Sequence, residues 1–107
     1  MAWAGGGGTC RDNKYVVPKS HAALGAVASG TRFTGGFARH HVFEPGPKGT
    51  VVIENTYGDP AYVAGQFGKG RVVFGGTYYG HERPVVGTER EIVFALLDWL
   101  TEAKARR

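Results

Sequence analysis

Cysteine is nearly absent from this chain, and its scarcity excludes two kinds of site. Cys10 is the single cysteine among 107 residues, so no disulfide can form within the chain and no cluster of thiolates can bind a metal. A lone thiol suits a reducing compartment, because disulfides do not persist there.

Long apolar runs are also missing. No stretch approaches the roughly 18 consecutive apolar residues of a membrane-spanning helix. The N-terminus lacks the basic region followed by an apolar segment that is typical of a secretory signal. We therefore predict a cytoplasmic protein with no membrane partner.

Acidic residues are fewer than basic ones, with 9 Asp and Glu against 13 Lys and Arg, and the formal net charge is +4. Three of the positive charges, Lys104, Arg106 and Arg107, lie at the end of a predicted helix. Cations there stabilise the helix dipole, so the basic balance does not indicate a nucleic-acid partner. No cofactor is indicated by the sequence either.

Glycine, by contrast, is abundant, with 18 residues. The run at positions 5–8 predicts a flexible loop over residues 1–13, because glycine loses the most conformational entropy when it is ordered. The alternative is a place where the backbone approaches another group closely. Turns are predicted at residues 31–36 and 44–49.

Two apolar runs, residues 61–67 and 71–78, flank the sequence Gly68-Lys69-Gly70. Glycine adopts the positive φ of a tight turn cheaply, so the pattern predicts a β-hairpin. A phosphate-binding loop is the alternative, but it needs Ser or Thr after its Lys and then a helix. Here the residues that follow, Arg71 and Val72, enter a strand.

A C-terminal helix is predicted over residues 88–104, with Thr88 and Glu91 as a capping box. Its apolar stripe has helical spacing and consists of Ile92, Val93, Leu96, Leu97, Trp99, Leu100 and Ala103. Further strands are predicted near residues 15–17, 37–43 and 50–54, and one or two helical turns after Ser20 as N-cap. The sum is a β-rich layered unit, α/β or α+β, whose helix packs on the sheet.

Several residues are candidates for chemistry. Cys10 follows small residues, as the nucleophile of a strand-to-helix elbow does, and the alternative is a spectator thiol. His81 and Glu82 follow a predicted strand, where a histidine can act as base to a thiol and a carboxylate can orient it. The alternative for this pair is a solvated polar turn.

Histidine and tyrosine provide two further possibilities. His40 and His41 are adjacent, so on a strand they point to opposite faces and cannot chelate one metal together; we predict no metal site. Aromatic side chains are candidates for a sugar-binding surface, or else half-buried sheet residues. They are Trp3, Tyr57, Tyr62, Tyr78 and Tyr79.

Three segments, residues 68–74 (GKGRVVF), 79–82 (YGHE) and 96–100 (LLDWL), together resemble the C-terminal part of the class I glutamine amidotransferase-like superfamily. The trehalose-utilisation-like (ThuA-like) branch is the most similar. Residues 21–24 (HAAL) and 59–63 (DPAYV) resemble two upstream segments of that branch.

The resemblance implies a flavodoxin-like α/β fold with a central, mostly parallel sheet. The opening residues 3–8 (WAGGGG) are similar to a loop in the middle of the family's domain. On this reading residues 1–107 are a single truncated domain, to which a larger parent protein or a homo-oligomer would supply the rest.

By motif position the resemblance assigns Cys10 as nucleophile, His81 as base and Glu82 as orienting acid. The family's His-Pro-Glu has one residue between its His and Glu, whereas Glu82 follows His81 directly. Our first hypothesis is therefore a non-catalytic binding or interaction module tied to carbohydrate metabolism. An amidotransferase or hydrolase that uses Cys10 and His81 is the second, and a carbohydrate-binding surface is the third. For ligand contacts we name Tyr78, Tyr79 and His81, with a sugar-related small molecule as partner.

Overall fold

The computed structural model describes residues 4–10, 13–35, 40–47, 49–68, 70–77 and 86–105. Within them the chain forms a short 3₁₀ helix, Ala22–Leu24, together with seven strands and one long helix. These are β1 (Ala4–Cys10), β2 (Lys14–Val16), β3 (Arg32–Thr34), β4 (His40–Pro45), β5 (Gly49–Asn55), β6 (Pro60–Phe67), β7 (Gly70–Gly75) and α1 (Gly87–Ala105). The architecture is a small sheet-rich α/β domain with one C-terminal helix.

Strands β3-β2-β5-β6-β7 form one sheet in that order, and β1 and β4 form a second sheet. Every strand pair in the described ranges is antiparallel, which differs from the mostly parallel sheet that the family resemblance implied. Short connections explain this for the pairs β5–β6 and β6–β7, because a parallel pair needs a crossover of about a dozen residues or more. Only four residues, 56–59, separate β5 from β6.

The hairpin of β6 and β7 confirms the prediction around the Gly-Lys-Gly sequence. Gln66 pairs with Arg71 and Phe67 pairs with Gly70, so only two positions of the sequence separate the paired ends of the strands. Gly68 has φ +61, a left-handed conformation that glycine adopts without strain. The phosphate-loop alternative is excluded, since Arg71 lies in a strand.

Two predicted loops are strands, and both predictions were wrong. The glycine run forms most of β1, which pairs with β4 through a register shift between Gly6 and Gly8. Its backbone groups gain hydrogen bonds from a distant strand, which local entropy arguments do not consider. Likewise, β3 lies inside the predicted turn at residues 31–36 and pairs with β2, where Tyr15 and Phe33 have ring centroids 5.2 Å apart.

The C-terminal helix is confirmed, but its predicted boundary and stripe need correction. α1 begins at Gly87 and not at Thr88. The buried apolar side chains of the helix are Ile92, Leu96 and Trp99, and Glu89 is buried as well, whereas Leu97 is 51% exposed. Positions 92, 96 and 99 lie on one face of the helix, which packs against the 3₁₀ helix, β7 and β3. The buried stripe is narrower than the predicted one. No helix among the described residues is long and apolar enough to cross a membrane.

The two sheets are joined at Gly76, directly after β7. Its N–H donates to the Ala61 carbonyl at 2.9 Å, and its carbonyl accepts from the His41 N–H at 2.8 Å. A Cβ at this position would overlap the His41 carbonyl oxygen. Glycine is therefore required here by close backbone approach, not by an unusual φ.

Candidate functional site

An open cleft of about 520 Å³ lies between α1 and the β6–β7 hairpin. Residues from β5, β6, β7, α1 and the segment before the 3₁₀ helix form its walls. They are His21, Thr50, Ala64, Gly65, Gln66, Arg71 and Trp99. Its volume is in the range of small-molecule sites, about 300–1,000 Å³.

Arg71 extends from the second residue of β7 to the helix. Its guanidinium carbon lies 4.8 Å from the centroid of the Trp99 ring, and its Nη1 donates to the Trp99 carbonyl at 2.7 Å. Stacking of a cation on an indole is favourable, and the hydrogen bond fixes the side chain in the cleft. The tight turn at Gly68 sets this position, because Arg71 is the partner of Gln66 on β6.

His21 contacts the same tryptophan. Its ring centroid is 5.8 Å from that of Trp99, in an edge-on arrangement at 73°. Nδ1 of His21 accepts from the N–H of Ala23 at 3.0 Å and caps the 3₁₀ helix. Ser20 was the predicted cap; instead its hydroxyl accepts from the N–H of Ser29 at 3.2 Å.

Partial burial determines the charge of His21. Desolvation lowers the pKa of the imidazole from its usual value of 6.5, because burial penalises the cation. The ring is therefore neutral at pH 7, with Nδ1 as acceptor and the proton on Nε2. Among the described residues that line the cleft, Arg71 carries the charge, and none is Asp or Glu. The cleft is accordingly cationic.

The predicted catalytic residues are only partly described. Cys10 is the last residue of β1, and its backbone partner in β4 is His40. A nucleophile elbow leads from a strand into a helix, but the next element after Cys10 is strand β2, which begins at Lys14. His81 and Glu82 lie outside the described residues, so the catalytic assignment stays a prediction.

The predicted ligand contacts have a similar outcome. Tyr78 and Tyr79 also lie outside the described residues, as does Trp3. Tyr57 is 73% exposed on the turn after β5. Tyr62, by contrast, is buried in β6 and its hydroxyl bonds the Thr77 hydroxyl, so of the two interpretations of this residue the sheet residue applies.

A second polar cluster lies inside the molecule around His40, which is fully buried. Asn55 Oδ1 accepts from the N–H groups of Tyr57 and Asp59, each at 2.9 Å. This orients the amide so that Nδ2 donates to His40 Nε2 at 3.1 Å. His41 is exposed, which confirms that the two adjacent histidines occupy opposite faces. No three His, Cys, Asp or Glu side chains in the described ranges are grouped as metal ligands.

The sequence did not predict that these residues line one cleft, although each of them was part of a segment noted above. His21, Arg71 and Trp99 are separated by 50 and 28 residues along the chain, and no local pattern reports such distances. The available signal was their membership of the segments that carry the family resemblance. Comparisons with protein-family models, curated proteins and solved structures found no match to this chain.

Proposed function

We propose that this chain is a non-catalytic binding module of the glutamine amidotransferase-like superfamily, in its trehalose-utilisation-like branch, and that it binds a small sugar-related molecule in the cleft between α1 and the β6–β7 hairpin.

One observation carries this proposal. Residues from three segments of the resemblance, His21, Arg71 and Trp99, lie around a single cleft. His21 and Arg71 each contact Trp99, at 5.8 Å and 4.8 Å. If these segments only maintained the fold, nothing would require their polar side chains to meet at an open surface.

The side chains in the cleft favour binding over catalysis. The described lining residues offer donors and one cation, but no thiol or carboxylate. Covalent catalysis needs a nucleophile within hydrogen-bonding distance of a base, about 2.6–3.2 Å. The donors that line the cleft suit recognition of a polar ligand.

Ligand titration of the full chain tests the proposal. Trp99 forms a wall of the cleft, so its fluorescence reports binding when Trp3 has been replaced by Phe. A panel of simple sugars, disaccharides and sugar acids is expected to give at least one saturable change. The absence of any change across the panel would contradict the proposal.

An assay of glutamine hydrolysis distinguishes the non-catalytic binding module from the alternative, an amidotransferase that uses Cys10 and His81. We expect no release of ammonia from glutamine above that of a Cys10→Ser variant. Ammonia release that depends on Cys10 would replace the binding module with a Cys-His amidotransferase.

A further inference from the structure

We infer that the ligand of this cleft is a small hydroxylated oxyanion, and that the guanidinium of Arg71 binds its carboxylate or phosphate group. This inference rests on the proposed function and names the chemical class of the ligand.

The hydrogen-bonding state of Arg71 is the first argument. A guanidinium has five N–H donors, and the Trp99 carbonyl occupies one of them. Trp99 also covers one face of the group. Stacking leaves the edge of the plane accessible, and that edge is the part that bonds carboxylate and phosphate in a bidentate manner.

The missing counter-charge is the second argument. Arg71 is half-buried, and none of the described lining residues carries a negative charge. Its described partners are the ring and the carbonyl of Trp99, both of which are uncharged. A partly desolvated cation without an anion favours an anionic ligand, because the attraction is less screened than at a fully exposed site.

His21 adds a hydrogen-bond donor to the cleft without adding a second positive charge. Since burial keeps its imidazole neutral, the ring does not repel Arg71, and Nε2–H remains as a donor. A neutral donor beside one cation matches a ligand with a single anionic group and further polar groups.

Two exposed polar side chains at the cleft are the reason for inferring hydroxyl groups on the ligand. Thr50 presents a hydroxyl, and Gln66 presents an amide with both donor and acceptor atoms. Hydroxyl groups donate and accept in the same way, so they pair with both residues. Inorganic phosphate or acetate lacks this second set of contacts and is expected to bind more weakly than a hydroxylated anion.

Calorimetric titration of the full chain tests the inference with gluconate, a hexose phosphate, neutral glucose, acetate and inorganic phosphate. The two hydroxylated anions separate the carboxylate source from the phosphate source. At least one of them is expected to bind about tenfold or more tightly than glucose, as one charged hydrogen-bonding group allows.

Arg71→Gln is expected to remove that preference, and Arg71→Lys to weaken binding several-fold while keeping the charge. Arg32→Gln is the matched control, because Arg32 is an exposed arginine on β3. If Arg71→Gln does not fold by circular dichroism, Arg71→Lys still decides the case, since lysine lacks the planar fork.

Three results would overturn the inference: equal binding of glucose and gluconate, unchanged affinity in Arg71→Lys and Arg71→Gln, or equal losses in Arg71→Gln and Arg32→Gln. Binding of neutral sugars alone would refute the oxyanion and keep the binding module. No binding of any probe would refute both.

Discussion

Two histidines of this protein act as hydrogen-bond acceptors in opposite surroundings. His40 is fully buried, and its Nε2 accepts from Asn55 at 3.1 Å. His21 accepts from a backbone N–H at 3.0 Å, but it lines an open cleft beside an arginine. Around His40 the polar groups satisfy one another inside the fold. Around His21 a cation faces the solvent. The difference indicates that the first cluster holds the fold together and that the second is available to a ligand.

The largest expected effect tests whether the cleft wall also supports the core. Trp99 is 7% exposed and packs in the core cluster. Trp99→Ala is expected to reduce the free energy of unfolding by about 3–5 kcal/mol, through lost burial and the cavity left behind. Urea denaturation measures this. Phe94→Ala, on the exposed side of α1, is the control, and equal losses in both variants would show that α1 is not docked as described.

Gly76, where the two sheets are joined, does not tolerate a larger side chain. A methyl group there would overlap the His41 carbonyl oxygen, so Gly76→Ala is expected to cost about 3 kcal/mol or more. Gly30 is the matched control, because nothing lies within 4 Å of a Cβ built at that glycine. A substitution there costs about 1–2 kcal/mol, from its positive φ alone. Thermal unfolding measures the stability of both variants. If both lose the same stability, the close approach between the two sheets is refuted.

A substitution of Asn55 tests whether the buried polar cluster around His40 stabilises the fold more than an exposed hydrogen bond does. Asn55→Ala removes the acceptor of two backbone N–H groups and the partner of His40, with an expected cost of about 2 kcal/mol. Ser20→Ala removes an exposed hydrogen bond of the same type, and we expect less than about 0.5 kcal/mol. Chemical denaturation distinguishes them. The comparison between the two histidine regions fails if Asn55→Ala is as mild as Ser20→Ala.

The smallest expected effect is on the pH dependence of folding stability, through protonation of His21. Burial lowers the pKa of His21 in the folded state below its unfolded value near 6.5, so the unfolded state binds the proton more readily. Stability is therefore complete above that pH and falls as the pH decreases through the window between 6.5 and the folded pKa. His21→Asn keeps an acceptor for the 3₁₀ helix and removes the imidazole. We expect a shallower loss of melting temperature below pH 6.5 in this variant, and identical profiles would contradict the assignment.

Features set by neighbouring residues were predictable from the sequence, and features set by distant pairing were not. The turn at Gly68 and the buried side of α1 depend on local conformational preference and helical spacing. The turn was predicted correctly, and the predicted stripe of α1 contains the buried residues but was too wide, since Leu97 is exposed. The glycine run of β1 was misjudged because its order comes from β4, about 35 residues away. Arg71 was placed correctly in its strand, but its contact with Trp99 crosses 28 residues and left no local pattern.

The most direct test of the account is an amide and side-chain NMR titration of the isotope-labelled full chain with gluconate and a hexose phosphate. We predict that the Nε–H of Arg71, the indole N–H of Trp99 and the ring of His21 shift together and saturate at one ligand concentration. The side-chain amide of Asn55 is expected to stay in place. Shifts centred on Asn55 and His40, or shifts of exposed lysines alone, would contradict the assignment of the open cleft as the ligand site.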